Sequence, residues 1–171
     1  MSREENMKRT LLSMLSQRGY KDINDSSTQY LIATKKNKNI CVFLEVVAKL
    51  NTAEIQKYIN MLNTMGSNHC ILVYKTNTPS VKNIIKEANN IGLEIELFTE
   101  DELQYNITEH VLVPTHKALN KRDCKEFKDK HGSQVPVLLR TDPICRFYNF
   151  RKGSIIKVTR RNGFVAYRIV K

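Results

Sequence analysis

Apolar positions along the chain change period several times, and each change marks an element. Met7, Leu11, Leu12 and Leu15 fall at three- and four-residue spacing and the run stops at Gly19, which predicts an amphipathic helix closed by glycine. A polar stretch follows Tyr20. Gln29 to Thr34 and Ile40 to Val47 read as strands joined by Lys35-Lys36-Asn37-Lys38-Asn39, a turn too charged to bury, so the pair predicts a hairpin. Asn51 with Glu54 has the spacing of a capping box and opens a helix through Ile55, Ile59 and Leu62 to Gly66. Cys70 to Tyr74 is an apolar run of strand type. Thr78-Pro79-Ser80 then starts a helix carrying Val81, Ile84 and Ile85 and ending at Gly92, and Leu93 to Phe98 is a fourth strand. A short acidic helix, Glu100 to Gln104, leads out. This order predicts an α/β (α+β) fold: a mixed sheet flanked by helices, in the order of a restriction-endonuclease-like core.

From about Ile107 the pattern differs. Val111-Leu112-Val113 reads as a short strand before Pro114, and Asn120 with Asp123 caps a charged helix ending at His131-Gly132. Val135 to Leu139 is a strand. Thr141 as cap, Asp142 at the positive helix end and Pro143 in the first turn predict a short helix to Asn149. Ser154 to Arg161 and Phe164 to Val170 flank Asn162-Gly163, the pair favoured in a two-residue type I′ turn, so a hairpin ends this small mixed α/β domain. Counting outward pairs Val158 with Tyr167 and Ile156 with Ile169 on one face, and Lys157 with Arg168 on the other. For that like-charged pair, either an acidic or phosphate partner lies over the face or the side chains splay into water.

Charge sharpens the division. Residues 1–105 carry 13 basic and 12 acidic side chains, whereas residues 106–171 carry 15 and 5, so the expected domains are 1–105 and 106–171. A surface this basic favours nucleic acid or an acidic protein, or is a plain solvated face. The four cysteines have no paired spacing, the chain opens Met1-Ser2-Arg3-Glu4-Glu5, and Glu45 interrupts the most apolar run, Ile40 to Leu50. The expectation is a soluble, intracellular chain in a reducing compartment, without a membrane segment.

Order and wording of the fragments carry a likeness. Asn106-Ile107-Thr108-Glu109-His110-Val111-Leu112-Val113-Pro114-Thr115-His116, Gln134-Val135-Pro136, Thr141-Asp142-Pro143, Arg151-Lys152-Gly153, Ile156-Lys157-Val158 and Tyr167-Arg168-Ile169-Val170 together resemble the fifth subunit shared by the eukaryotic nuclear RNA polymerases, whose C-terminal part corresponds to a small separate subunit of the archaeal RNA polymerase. Arg18-Gly19-Tyr20 and Ile71-Leu72-Val73-Tyr74 leading to Thr78-Pro79-Ser80 resemble its N-terminal jaw, which the archaeal protein lacks.

The resemblance implies a non-catalytic subunit of DNA-directed RNA polymerase, assembled with the largest and other polymerase subunits. Residues 106–171 would dock on the largest subunit, through His110, Pro114, His116, Asp142, Pro143, Lys157, Tyr167 and Arg168. The jaw of residues 1–105 would lie along downstream duplex DNA, the family's DNA-facing loop matching Thr78, Pro79 and Ser80, with Lys75 and Lys82 nearby. Two hydroxyls at a helix N-terminus suit a phosphate, although Thr78 as a plain helix cap explains the same residues. The N-terminal domain is shorter than in cellular members, and the polar loop between the last strands is cut to Asn162-Gly163. Compactness with 16 Asn and 18 Lys points toward a large-DNA-virus polymerase, so the expected site is the nucleus, or cytoplasm and virion for a viral protein.

Chemistry of other kinds is sparse in the sequence. A small nuclease is the best rival, but Glu45 has Val47 where such an enzyme places lysine, and Asp123-Cys124-Lys125 and Glu126-Phe127-Lys128 fall on a surface helix. A stand-alone basic DNA-binding protein would need a groove-entering element. His69-Cys70, His110 and His116 lack zinc-ligand spacing, and no phosphate-binding glycine loop or nucleophile elbow occurs, so no catalytic residue, metal or cofactor is expected.

Overall fold

A computed structural model describes residues 2–25, 27–132 and 134–171, and its chain forms two compact units, Met1–Tyr105 and Asn106–Lys171. Helix α1 (Arg3–Gln17) begins in a capping box in which Ser2 Oγ accepts from Glu5 N and Glu5 Oε2 accepts from Ser2 N. Met7, Leu11, Met14 and Leu15 share one buried stripe. Past its C-cap Arg18, the amide of Gly19 returns to Ser16 O and that of Tyr20 to Leu15 O, which closes the last turn.

Five strands follow in spatial order β1 (Asp22–Asn24), β2 (Tyr30–Lys35), β3 (Lys38–Leu50), β4 (His69–Asn77) and β5 (Glu94–Thr99). The first three pair antiparallel and the last three parallel. Parallel neighbours need a crossover, supplied by α2 (Thr52–Thr64) and α3 (Val81–Asn90). Both helices cover one face. Cys41, Phe43, Cys70, Leu72 and Ile95 of the strands pack there with Ile55, Tyr58, Ile59 and Leu62 of α2 and Val81 and Ala88 of α3. Each large apolar side chain so buried contributes about 1.5–3 kcal/mol. The alternate strand positions, Leu31, Ala33, Ile40, Val42, Ile71 and Val73, are fully buried on the opposite face, the side from which Glu96 meets α1's C-cap.

The mixed sheet agrees with the pattern of the sequence, and Asn51 caps α2 by accepting from Glu54 N at 3.0 Å. Three details differ. Asp22–Asn24 adds an edge strand that its polar composition hides. Helix α3 starts at Val81, so Pro79 lies in the turn before it. Glu100 to Gln104 holds only a single 3-10 turn at Asp101–Leu103.

In the second unit, β6 (Thr115–Ala118), α4 (Lys121–His131), β7 (Val137–Leu138), α5 (Pro143–Tyr148), β8 (Ile155–Thr159) and β9 (Val165–Val170) build a sheet of order β6-β8-β9-β7. Helix α5 covers one face, where Ile144, Cys145 and Phe150 join Leu138, Ile156, Val158 and Val170. Helix α4 covers the other, its Phe127 ring 4.4 Å from Tyr167.

Val111 to Val113 is not a strand: Val113 N turns back to His110 O, Val111 and Leu112 are exposed, and pairing starts at Thr115, beyond Pro114. The cap of α5 is Asp142 rather than Thr141, its Oδ1 accepting from Ile144 N at 2.9 Å with Pro143 first in the helix.

The terminal hairpin forms, but one residue out of the expected register. Lys157 opposes Tyr167, Ile156 opposes Arg168 and Val158 opposes Ala166. Arg160 N donates to Phe164 O and Gly163 N to Arg160 O, so the loop is three residues, Arg161-Asn162-Gly163. This is a type I turn followed by a left-handed glycine, with Gly163 at φ 81 and Asn162 not among the positive-φ residues. A type I′ turn needs both. Gly163→Ala is therefore expected to cost about 1 kcal/mol by equilibrium denaturation. Asn162→Gly is expected to destabilise by about 0.5 kcal/mol, where a type I′ turn would accept glycine at no cost.

Candidate interaction surfaces

Parallel β3 and β4 end side by side, so the helices that follow them start at one edge of the first sheet. Thr78 N donates to Leu50 O at 3.0 Å, which locks the β4–α3 turn to the end of β3. The hydroxyls of Thr78 and Ser80 lie 2.9 Å apart, and Thr52 Oγ1 donates to Ser80 Oγ at 3.5 Å. Ser80 holds the N-cap position with αR backbone and makes no side-chain cap bond. The turn closes instead through the backbone, Val81 N donating to Thr78 O and Asn83 N to Ser80 O. Pro79, Ser80 and Lys82 are exposed, whereas Lys75 is drawn to Glu100, Nζ to Oε2 3.7 Å. Sequence reasoning missed Thr52, whose place beside Ser80 follows once β3 and β4 are known to be parallel.

The residues assigned to assembly divide between two faces of the second sheet. His116 opposes Val158 on the α5 side, and its Nδ1 donates to Pro114 O at 2.8 Å. Burial pushes its imidazole below the usual pKa, and Arg168 adds to that push against the Pro114 carbonyl and Asp142. Arg168 also donates to Val137 O at 3.4 Å. His116, Asp142 and Arg168 thus share one corner, near the start of α5 and Pro143. Lys157 and Tyr167 face α4 instead, and Lys157's like-charged cross-strand neighbour is Lys117, not Arg168. His110 is exposed and its Nδ1 accepts from Leu112 N.

A third cluster went unread in the sequence. Arg18, 8 % exposed, makes two hydrogen bonds to Glu96 at 2.7 and 2.8 Å, and His69 Nε2 donates to Glu96 Oε1 at 2.7 Å. Glu94 stands 3.8 Å from His69. Burial alone would raise the Glu96 pKa, but the bond from His69 together with the charge and hydrogen bonds of Arg18 outweighs it, and the group titrates below the usual carboxylate range. Among the described residues His69, Glu94 and Glu96 form the one group close enough to hold a cation. Its central carboxylate is already answered by Arg18, so the group is an ion-pair network by construction. Glu45 is exposed beside a register shift in β3 and accepts from Tyr58 Oη at 3.5 Å, apart from these acids.

Comparison with known proteins gives this architecture a class. The description "RNA polymerase Rpb5, C-terminal domain" fits residues 105–170. Subunit rpabc1 of DNA-directed RNA polymerases I, II and III from Dictyostelium discoideum is 29% identical, over 95% of this chain and 94% of its own length. A putative DNA-directed RNA polymerase subunit of Invertebrate iridescent virus 6 is 28% identical, over 92% and 94%. Subunit RPABC1 of Caenorhabditis elegans is 30% identical, over 75% of this chain and 64% of its own. The class is that of RNA polymerase subunits in transcription. Within it, the second unit belongs to the Rpb5 C-terminal domain family, and the chain over nearly its whole length is similar to subunits of the Rpb5 type.

The buried network sets a stability prediction. Glu96→Gln leaves Arg18 without its full counter-charge and is expected to destabilise by about 3–5 kcal/mol in a denaturant melt at pH 7. The folded pKa lies below the unfolded value of 4.5, so this stabilisation is present above about pH 4.5 and is lost as pH falls through the folded value. The acid-side fall in Tm should accordingly be shallower in Glu96→Gln than in the parent.

Proposed function

We propose that the chain is a non-catalytic subunit of an intracellular DNA-directed RNA polymerase, nuclear or viral, whose second unit docks on the largest subunit while the first contacts downstream duplex DNA. The observation that carries the reading is the fit of residues 105–170 to the Rpb5 C-terminal domain, joined to likeness over almost the whole chain to polymerase subunits. A non-catalytic role is supported by the acids: where they gather on strands, at Glu94 and Glu96, Arg18 and His69 hold them.

For the first unit, the candidate DNA contact is the edge bearing Thr52, Thr78, Pro79 and Ser80. Hydroxyls and the exposed Lys82 suit a phosphate contact that carries no base information. Lys75 joins it only by leaving Glu100. With 13 basic and 12 acidic residues, this unit has little long-range pull on DNA, so the contact is weak, free of sequence preference and dependent on being held in place by the rest of the enzyme. For the second unit, the corner of Pro114, His116, Asp142, Pro143 and Arg168, the exposed His110, and the α4-side pair Lys157 and Tyr167 are the candidate docking residues.

Two measurements separate the halves of this proposal. A tagged chain expressed in its native source is expected to co-purify the largest polymerase subunit, and recovery without any polymerase subunit would overturn docking. The double substitution Thr78→Ala with Ser80→Ala is expected to leave assembly intact and to shorten the downstream footprint of a transcribing complex. An unchanged footprint would reduce the segment to a structural turn.

A further inference from the structure

A groove of about 490 Å³ runs through the second unit between α4 and the sheet face that α4 covers, lined in part by Lys117, Phe127, Lys130, His131, Lys157 and Tyr167. Its floor is aromatic: the centroid of the Phe127 ring lies 4.4 Å from that of Tyr167 and 4.8 Å from that of His131, both pairs tilted. Its sheet wall is cationic. Lys117 and Lys157 are direct cross-strand partners, and Lys157 in turn opposes Tyr167. Side chains so opposed have Cβ atoms about 4.5–5.5 Å apart, where like charges repel.

None of Lys117, Lys130 or Lys157 takes part in the ion pairs found among the described residues. The acids of the groove, Asp123 and Glu126, stand on the α4 wall, and Asp123 Oδ2 is engaged by the capping Asn120 Nδ2 at 2.9 Å. An occupant that relieves the lysine pair must therefore bring its own negative charge and an apolar group for the ring floor.

We infer that this groove receives an extended acidic peptide segment of a partner protein, its carboxylates on Lys117 and Lys157 and an apolar side chain against Phe127 and Tyr167. A peptide fits better than nucleic acid because the α4 wall sets two acids, Asp123 and Glu126, beside its one lysine, Lys130, whereas the sheet wall carries only Lys117 and Lys157 as charged groups. A phosphodiester chain would present charge to Asp123 and Glu126 as well as to the lysines, whereas a peptide can turn carboxylates to the sheet and backbone N–H groups to α4. The inference deepens the docking reading and rests on it only for the polymerase as source of the segment; occupancy of the groove is measured separately.

The probe is the fluorescein-labelled peptide Glu-Glu-Leu-Glu-Glu-Phe, titrated with the full-length chain by anisotropy, with Gln-Gln-Leu-Gln-Gln-Phe as its neutral counterpart. Expected are saturable binding that weakens with added salt, preference for the acidic peptide, and a loss of about tenfold or more in Lys117→Glu with Lys157→Glu. The pair Lys57→Glu with Lys86→Glu, both exposed in the first unit, should leave binding unchanged. Should charge reversal unfold the chain, Lys117→Ser with Lys157→Ser and the salt dependence of the parent decide the matter. Equal binding of both peptides, no binding of the acidic one, or unchanged binding by the groove variants would overturn the inference. So would groove variants that lose affinity for a labelled DNA duplex while keeping the peptide. A chain that binds the probe but recovers no polymerase subunit overturns the docking reading and leaves the groove standing.

Discussion

Parallel pairing of β3, β4 and β5 is the constraint on which the first unit turns. It forbids tight turns between these strands and so requires α2 and α3 as crossovers, both on one face. It buries the middle strand on both sides, which is why Cys70 to Val73 is apolar at every position and almost wholly inaccessible. It also starts both helices at the same edge, bringing Thr52 to Ser80 and creating the polar rim where a phosphate contact is most natural. The opposite face remains open to α1, whose C-cap Arg18 closes on Glu96 of the edge strand β5.

The sequence revealed elements whose cause is local. Asn51 and Asn120 each sit three residues before the amide they cap, and the structure finds both bonds. Heptad-like spacing marked α1 and α2 for the same reason, since one helix turn brings i and i+4 together. Strand β1 escaped because Asp22-Ile23-Asn24 has no apolar alternation; its existence depends on an antiparallel neighbour in β2. The hairpin shows a subtler limit. Asn-Gly announces a turn but serves two geometries, and only the backbone decides whether one or both residues take positive φ. That choice moves every β8–β9 partner by one residue, which replaced the expected Lys157–Arg168 pair with Lys157–Tyr167 and Ile156–Arg168.

The candidate sites divide along the same line. Thr78 to Ser80 was legible because a helix start is a local signal. The Arg18–Glu96–His69 network was not, since its members lie 78 and 27 positions apart and none carries a distinctive spacing. Only the pleat of β5, which turns Glu94 and Glu96 to the α1 side, together with the placement of α1, brings them into contact. Such a cluster loses solvation of both charges and regains it through mutual bonding, so its contribution is less to net stability than to fixing where α1 ends.

Charge in the second unit is best understood beside its apolar surface. This unit carries 15 basic and 5 acidic residues, and alone that composition favours nucleic acid. Yet Val111, Leu112, Val137, Leu139, Phe164 and Val165 are all exposed on the same 66 residues, and Arg160 lies over the Phe164 ring at 5.6 Å. A phosphate backbone makes no use of exposed valine and leucine, whereas a protein interface uses both, aromatic and aliphatic groups at its centre and charge around them. The combination therefore argues for a protein partner to the basic unit, and leaves the near-neutral first unit, with its rim of hydroxyls, as the one suited to a weak contact with DNA.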